Sequence, residues 1–217
     1  MGTLEFIVLG TTKVGDNAVV VHTLSREYGR RGFLIPSGKK AGMALLMPLS
    51  ILEADVRENP KSELWTLSHL NLRDALTGIR GRMDKNTVSL FLAEVLFRTL
   101  RDGANEDGLY DWCVGSILTY NALEADYANY HLRFLLEFAG ALGFRPSFED
   151  IAPFAGEYLP QVQALLSASF SETMLLPLSG SVRSELCEVF LQYLSYHTDQ
   201  SITIRSLPVL RELYGGG

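Results

Sequence analysis

Residues 4–36 read LEFIVLGTTKVGDNAVVVHTLSREYGRRGFLIP, and the reading of this stretch decides the fold. Leu4–Leu9 is a short apolar run, Ala18–Leu24 is a second one rich in valine, and Arg31–Pro36 is a third. Their separators, Lys13–Asn17 and Arg26–Arg30, carry the glycine and short polar residues that reverse a chain. Runs this short, apolar and bounded by turns predict strands rather than helices. Leu45–Asp55 and Leu64–Leu70 supply two further strand candidates, set off by Ser37–Gly42 and Glu58–Ser62. Five short strands within about seventy residues predict a small barrel or sandwich. Pro48 lacks an N–H to donate, which puts the start of the fourth strand at an edge or a bulge.

The period lengthens from residue 85. Val88, Leu92, Val95 and Leu96 fall on one helical face, with Phe91 beside them. Leu109–Tyr120, Tyr127–Gly140, Leu159–Phe170, Arg183–His197 and Leu207–Leu213 are the following helix candidates. Gly143, with Pro146 after it, reads as the stop of the Tyr127–Gly140 helix. Gly78 and Gly81 interrupt the pattern within Thr77–Asp84, so the domain boundary is placed there. The expectation is an α+β chain with a β domain over 1–80 and a helical domain over 81–217. Gly215–Gly217 buries almost nothing and is expected to fray.

Composition excludes several classes. The 217 residues are 47% hydrophobic and 20% charged, which is too apolar for a disordered chain. Two cysteines build neither a disulfide framework nor a four-thiolate zinc site. The N-terminus lacks the basic segment and long apolar run of a signal peptide, and no stretch reaches the ~20 apolar residues of a membrane span. A soluble protein of a reducing compartment is expected. The net charge of -6 is unevenly spread. Residues 1–50 hold six basic residues against three acids, and residues 101–150 three against nine. A phosphate backbone responds to the local field, so the basic N-terminal portion can be a nucleic-acid footprint inside an acidic chain.

Motifs for covalent chemistry are missing. Gly38-Lys39-Lys40 lacks the upstream glycine spacing and the Ser/Thr of a P-loop, and neither a dinucleotide fingerprint nor a Gly-x-Ser-x-Gly elbow is found. His22, His69, His131 and His197 have no metal-ligand spacing with Cys113 or Cys187, which sit in apolar helical segments as core thiols. Glu124 and Asp126 are two apart and do not share a helix face, so they read as solvated charge rather than as an acid/base pair. No catalytic residue, metal or cofactor is expected.

The basic loops suit another role. A small barrel binds single strands with a positive groove and ring faces on which bases stack. Arg26, Tyr28, Arg30, Arg31 and Phe33 crowd one turn, and Lys39 and Lys40 occupy another. Arginine offers a planar fork to phosphate and lysine a mobile point charge. Tyr28 alternatively closes the hairpin, Phe33 fits the core better than a stacking role, and Gly29 and Gly32 serve turn geometry. The acidic helical portion, with Tyr110, Trp112, Tyr120, Tyr127 and Tyr130, better fits protein partners, and a groove beside Arg133 can hold a short acidic, hydrophobic peptide.

Several segments together carry a family resemblance. Ile7-Val8-Leu9, Lys13-Val14-Gly15-Asp16-Asn17, Val19-Val20-Val21, Leu24-Ser25-Arg26-Glu27-Tyr28-Gly29-Arg30 and Ile35-Pro36-Ser37-Gly38-Lys39-Lys40 come first. Phe91–Phe97, Tyr130-His131-Leu132-Arg133-Phe134-Leu135-Leu136, Leu142-Gly143-Phe144-Arg145-Pro146 and Ser206–Glu212 follow in order. Over nearly its whole length the chain resembles the bacterial RecO recombination-mediator family, especially its Bacteroidetes members. The resemblance implies an N-terminal OB-fold and a C-terminal helical domain. It implies binding to single- and double-stranded DNA, annealing of complementary strands, and work with RecR to help load RecA onto DNA coated by single-stranded-DNA-binding protein. It further implies recognition of that protein's acidic C-terminal tail, and a cytoplasmic, nucleoid-associated location. By it the DNA surface includes Lys13, Arg26, Arg30, Arg31, Lys39 and Lys40, and Arg133 with His131 contacts the tail. Some relatives carry a four-cysteine zinc motif after the Gly-Phe-x-Pro segment. Phe148–Pro153 contains no cysteine, so zinc is not expected. The alternative reading is a protein-interaction adaptor whose OB-like domain has little DNA binding.

Overall fold

The computed structural model describes residues 2–16, 18–36 and 40–215. Five strands among them, β1 (Gly2–Val14), β2 (Ala18–Ser25), β3 (Gly29–Pro36), β4 (Ile51–Arg57) and β5 (Trp65–Leu72), close a barrel in the order β1-β2-β3-β5-β4. This is the OB-like barrel expected from the sequence. β1 is long because it serves two neighbours: Phe6–Val14 pair with β2 and Gly2–Ile7 with β4. Its register slips between Val8 and Gly10, a bulge that bends the strand from one sheet neighbour to the next. Closure rests on a short parallel pairing, Phe33 with Trp65 and Leu34 with Thr66. Phe6, Val8, Val21, Phe33, Leu52 and Leu67 fill the interior and are fully buried. Period-two alternation along each strand delivers them to one face. Phe33 is thus a core residue, the assignment favoured from its sequence setting.

The fourth strand starts later than the apolar run predicts. Residues 45–50 form turns, and a short helix α1 (Lys40–Met43) precedes them. Pro48 and Leu49 break the extended run, Leu49 adopting a positive φ of 61°. Surrounding bonds enforce that conformation. The Leu49 N–H donates to the Val8 carbonyl (2.8 Å), the Val8 N–H to Ser50 (2.9 Å), and the Arg80 guanidinium to the Pro48 carbonyl (2.7 Å). Burial of Leu49 offsets the backbone cost.

Two helices follow, α2 (Thr77–Arg80) and α3 (Met83–Thr99), and α3 packs on β1 through its predicted apolar face, with Val88, Phe91, Leu92, Val95 and Leu96 all buried. α4 (Leu109–Ala122) comes next. By internal contacts the chain forms two compact units that divide between Leu118 and Thr119.

The second unit is helical: α5 (Tyr130–Ala141), α6 (Phe148–Ala155), α7 (Leu159–Ser167), α8 (Phe170–Leu175), α9 (Gly180–Thr198) and α10 (Leu207–Gly215). α5, α6 and α10 pack around α9, whose Leu186, Cys187, Phe190 and Leu194 are buried. α5 ends as the sequence predicts. Gly143 takes φ 89°, its N–H reaches the Gly140 carbonyl, and the Phe144 N–H reaches Ala139, a Schellman stop. Ser147 and Ser169 each open a helix with a capping box, closed by Asp150 and Glu172. Cys113 and Cys187 are free and buried, in keeping with core thiols. Burial pushes both thiols up, away from thiolate chemistry. Gly216 and Gly217 lie outside the described residues. No helix among the described residues is long and apolar enough to cross a membrane.

Candidate nucleic-acid interface

The cations picked from the sequence that lie among the described residues, Lys13, Arg26, Arg30 and Arg31, sit at two ends of the barrel. β2 runs antiparallel to both β1 and β3, so Lys13 pairs with Val19 at one end while Ser25 pairs with Gly29 at the other. The eight residues of β2 separate these ends by roughly 20 Å. Lys13 is exposed at the first end. Pro36, the last residue of β3, lies there too, paired with Ala18. Lys39 lies outside the described residues, as does the side chain of Lys40, whose backbone opens α1.

Arg26, Arg30 and Arg31 belong to the second end, around the β2–β3 turn. Ser25 Oγ accepts the Tyr28 N–H at 3.1 Å and Gly29 turns the chain at φ 58°. The three arginines then differ in their surroundings. Arg26 is exposed, forms an ion pair with Asp111 and lies 5.1 Å from the Tyr110 ring. Its guanidinium beside Asp111 holds that carboxyl below the usual range. Arg30 is mostly covered, 4.6 Å over the Phe97 ring, and forms an ion pair with Asp102. Arg31 points back over the barrel's aromatic end. Its guanidinium lies 3.8 Å from the Trp65 centroid, with Tyr28 and Phe33 at 5.7 and 5.8 Å, and it donates to the Glu63 carbonyl. Tyr28 meets Trp65 edge-on at 5.3 Å. Arg31, Trp65 and Tyr28 are all half-buried, so each keeps part of its surface toward solvent.

Sequence reasoning missed three members of this end. In the sequence Trp65 falls within the Leu64–Leu70 strand candidate, with nothing local to mark it as part of a site. Arg57, at the end of β4, and Lys61, in the β4–β5 loop, are exposed cations of the same end. A cleft of about 380 Å³, lined by Thr3, Leu4, Glu27, Tyr28, Arg57 and Glu58, opens beside them. The available signal was topological: closing the barrel in the observed order brings the β4–β5 loop to the β2–β3 turn. This arrangement offers planar rings, a stacked guanidinium and mobile point charges, which suit an unpaired strand.

In the helical unit, Arg133 and His131 are two residues apart on α5 and take different environments. Arg133 Nε donates to Glu137 (2.6 Å) and Nη1 to the Ala168 carbonyl (2.9 Å). His131 is 1% exposed and stacks on Tyr214 at 5.3 Å. Burial, with the nearby Arg183 charge, lowers its pKa to about 3 and keeps it neutral. Beside it, the buried Asn129 donates to the Thr173 and Leu176 carbonyls, both at 2.9 Å, and accepts from Arg183 Nε at 2.7 Å. Glu124 and Asp126 are both exposed, so neither has the enclosed setting an acid/base pair needs. No group of three or more metal-ligating side chains is assembled among the described residues.

Comparison with known proteins bears on this geometry. Residues 1–76 match the family model described as Recombination protein O N terminal, and residues 80–152 match Recombination protein O C terminal. The chain is 28% identical to the DNA repair protein RecO of Phocaeicola vulgatus, over 96% of this chain and 97% of that protein. It is 26% identical to the protein of the same name from Bacteroides fragilis over the same shares. Against that of Porphyromonas gingivalis it is 31% identical, over 71% of this chain and 64% of the relative.

Proposed function

The chain belongs to the RecO recombination-protein family, and from that premise we propose that it is a non-enzymatic DNA repair and recombination mediator whose barrel holds DNA by its backbone. The observation that carries the DNA reading is the cluster of Arg31, Trp65 and Tyr28 at one end of a closed five-stranded barrel. DNA binding is assigned to residues 1–80 and partner docking to 81–217. Arg31, Arg57 and Lys61 meet one stretch of phosphates and Lys13 meets another at the opposite end, while Lys39 and Lys40 are further phosphate contacts. Arg26 and Arg30 join once their carboxylate partners give way. Bases stack on Trp65 or on the outer face of the Arg31 guanidinium, with little base readout.

Annealing follows from electrostatics. Phosphates neutralised by lysine and arginine let two strands approach before base pairing takes over. In the helical unit, Arg133 offers a cation to the acidic tail of single-stranded-DNA-binding protein. His131, inside the unit, acts by holding the α5 packing that positions Arg133. RecR completes the complex that lets RecA replace the coating protein, in the cytoplasm and at the nucleoid.

A complementary pair of oligonucleotides, each coated with single-stranded-DNA-binding protein, tests this reading when mixed with the full chain. Faster annealing, lost when the coating protein lacks its tail, is the expected result. An unchanged annealing rate would overturn the mediator reading. The adaptor alternative has one observation in its favour, since Arg26 and Arg30 are already paired with carboxylates. It predicts tail and RecR binding without oligonucleotide binding.

A further inference from the structure

We propose that residues 102–111 are a built-in phosphate mimic, an acidic strap that occupies Arg26 and Arg30 and must yield before DNA can use them. This rests on the reading of the barrel as a DNA-binding module. The segment DGANEDGLYD holds four acids, Asp102, Glu106, Asp107 and Asp111, and no basic residue. It joins α3 to the start of α4 and lies against the β2–β3 turn. The Arg30 N–H donates to the Ala104 carbonyl (2.9 Å) and the Gly103 N–H to the Arg30 carbonyl (2.8 Å), while Asn105 Nδ2 reaches the Arg26 carbonyl at 3.2 Å. Gly29 permits this approach, because a Cβ there would collide with the Ala104 carbonyl. Tyr110 anchors the far end, its hydroxyl donating to Glu5 at 2.9 Å.

Two observations separate a displaceable mimic from a purely structural staple. The carboxylates come from the solvent side. Asp102 is 78% exposed although its partner Arg30 is 11% exposed, and the Arg26–Asp111 pair is 59% and 60% exposed. A phosphate arriving from solvent therefore meets each guanidinium along the line its carboxylate now takes. The Arg26–Asp111 pair, exposed on both sides, is also of the weak kind, and a polyanion presenting several phosphates can compete first for it and then for Asp102 on its solvent side. The backbone bonds keep the strap in place while its carboxylates exchange, so the turn stays ordered.

The test compares three full-length proteins by anisotropy of fluorescein-labelled oligo(dT) across a salt series. They are the wild type, Asp102→Asn/Asp111→Asn, and the charge-matched control Glu106→Gln/Asp107→Asn, whose two carboxylates are exposed in the same segment. The strap predicts about tenfold tighter binding for the first variant and less than twofold for the control. Asp111→Asn alone, which touches only the exposed Arg26 pair, gives an intermediate gain and covers the case in which the double variant fails to fold. Equal effects of variant and control, or no gain in either, would overturn the strap alone. Absence of binding by all three proteins at low salt would overturn the DNA reading and the strap with it.

Discussion

The β2–β3 end of the barrel and the Asn129 network of the helical unit treat their polar groups in opposite ways. Around the β2–β3 turn the charged partners Asp102 and Asp111 stand in solvent, and Arg26 is itself exposed. In the helical unit Asn129, His131 and Thr173 are buried, and Asn129 ties three partners to one geometry. Exposed pairs are weak and exchange readily, whereas a buried, satisfied network is costly to disturb. The difference teaches where each unit spends its polarity: the barrel end on partners that can change, the helical unit on a fixed packing.

The largest effects should ignore that difference, because both units have dense apolar interiors. Phe33→Ala in the barrel and Phe138→Ala in the helical unit remove rings that are 0% exposed. Each should cost about 3–5 kcal/mol in denaturant unfolding. A much smaller loss in one unit would show that its interior collapses around the void. Asn129→Ala tests the buried network itself. It strands two carbonyls and an arginine N–H, for an expected loss of about 3 kcal/mol. If thermal melting shows the variant as stable as the wild type, the fixed-packing half of the contrast is broken.

His131 gives the contrast a pH signature. Its folded pKa of about 3 lies below the ordinary imidazole value of 6.5, through burial first and then Arg183. Between those values the unfolded chain binds a proton that the folded chain does not. Stability is therefore full above pH 6.5, falls as the pH drops through 6.5 toward 3, and levels off below. At pH 5 the loss is about 2 kcal/mol. Melting at pH 7.5 and pH 5 should show a smaller drop for His131→Phe than for the wild type, and identical drops would contradict the assignment. The smallest effect expected belongs to the barrel surface. Arg31→Ala should weaken oligonucleotide binding about fivefold, from loss of a stacked cation. Arg133→Ala should leave that binding unchanged.

Much of the fold was legible because its determinants are local. Valine-rich alternation marked β2, the spacing of Val88, Leu92 and Val95 marked α3, and Gly143 marked the end of α5. The departures have local causes as well. Leu45–Ser50 is as apolar as a strand, but Pro48 and the left-handed Leu49 turn it. α6 is short and carries Pro153 inside it, which hides a helix whose Ser147–Asp150 box was nonetheless in the sequence. The site was less legible because its pairings are remote. Arg30 and Asp102 are 72 residues apart and Arg26 and Asp111 are 85 apart, so a basic turn and an acidic loop read as separate features. Likewise Trp65 reaches Arg31 only through the parallel closure of β3 on β5.

Whether the barrel holds a DNA backbone is tested most directly by the salt dependence of oligonucleotide binding by the full chain. Anisotropy of a labelled single strand should rise on titration at low salt. Its affinity should fall linearly on a log–log plot as salt increases, with a slope of about -4 or steeper for the six phosphates met outside the Arg26 and Arg30 pairs. No binding at low salt, or binding that salt does not weaken, would contradict the account.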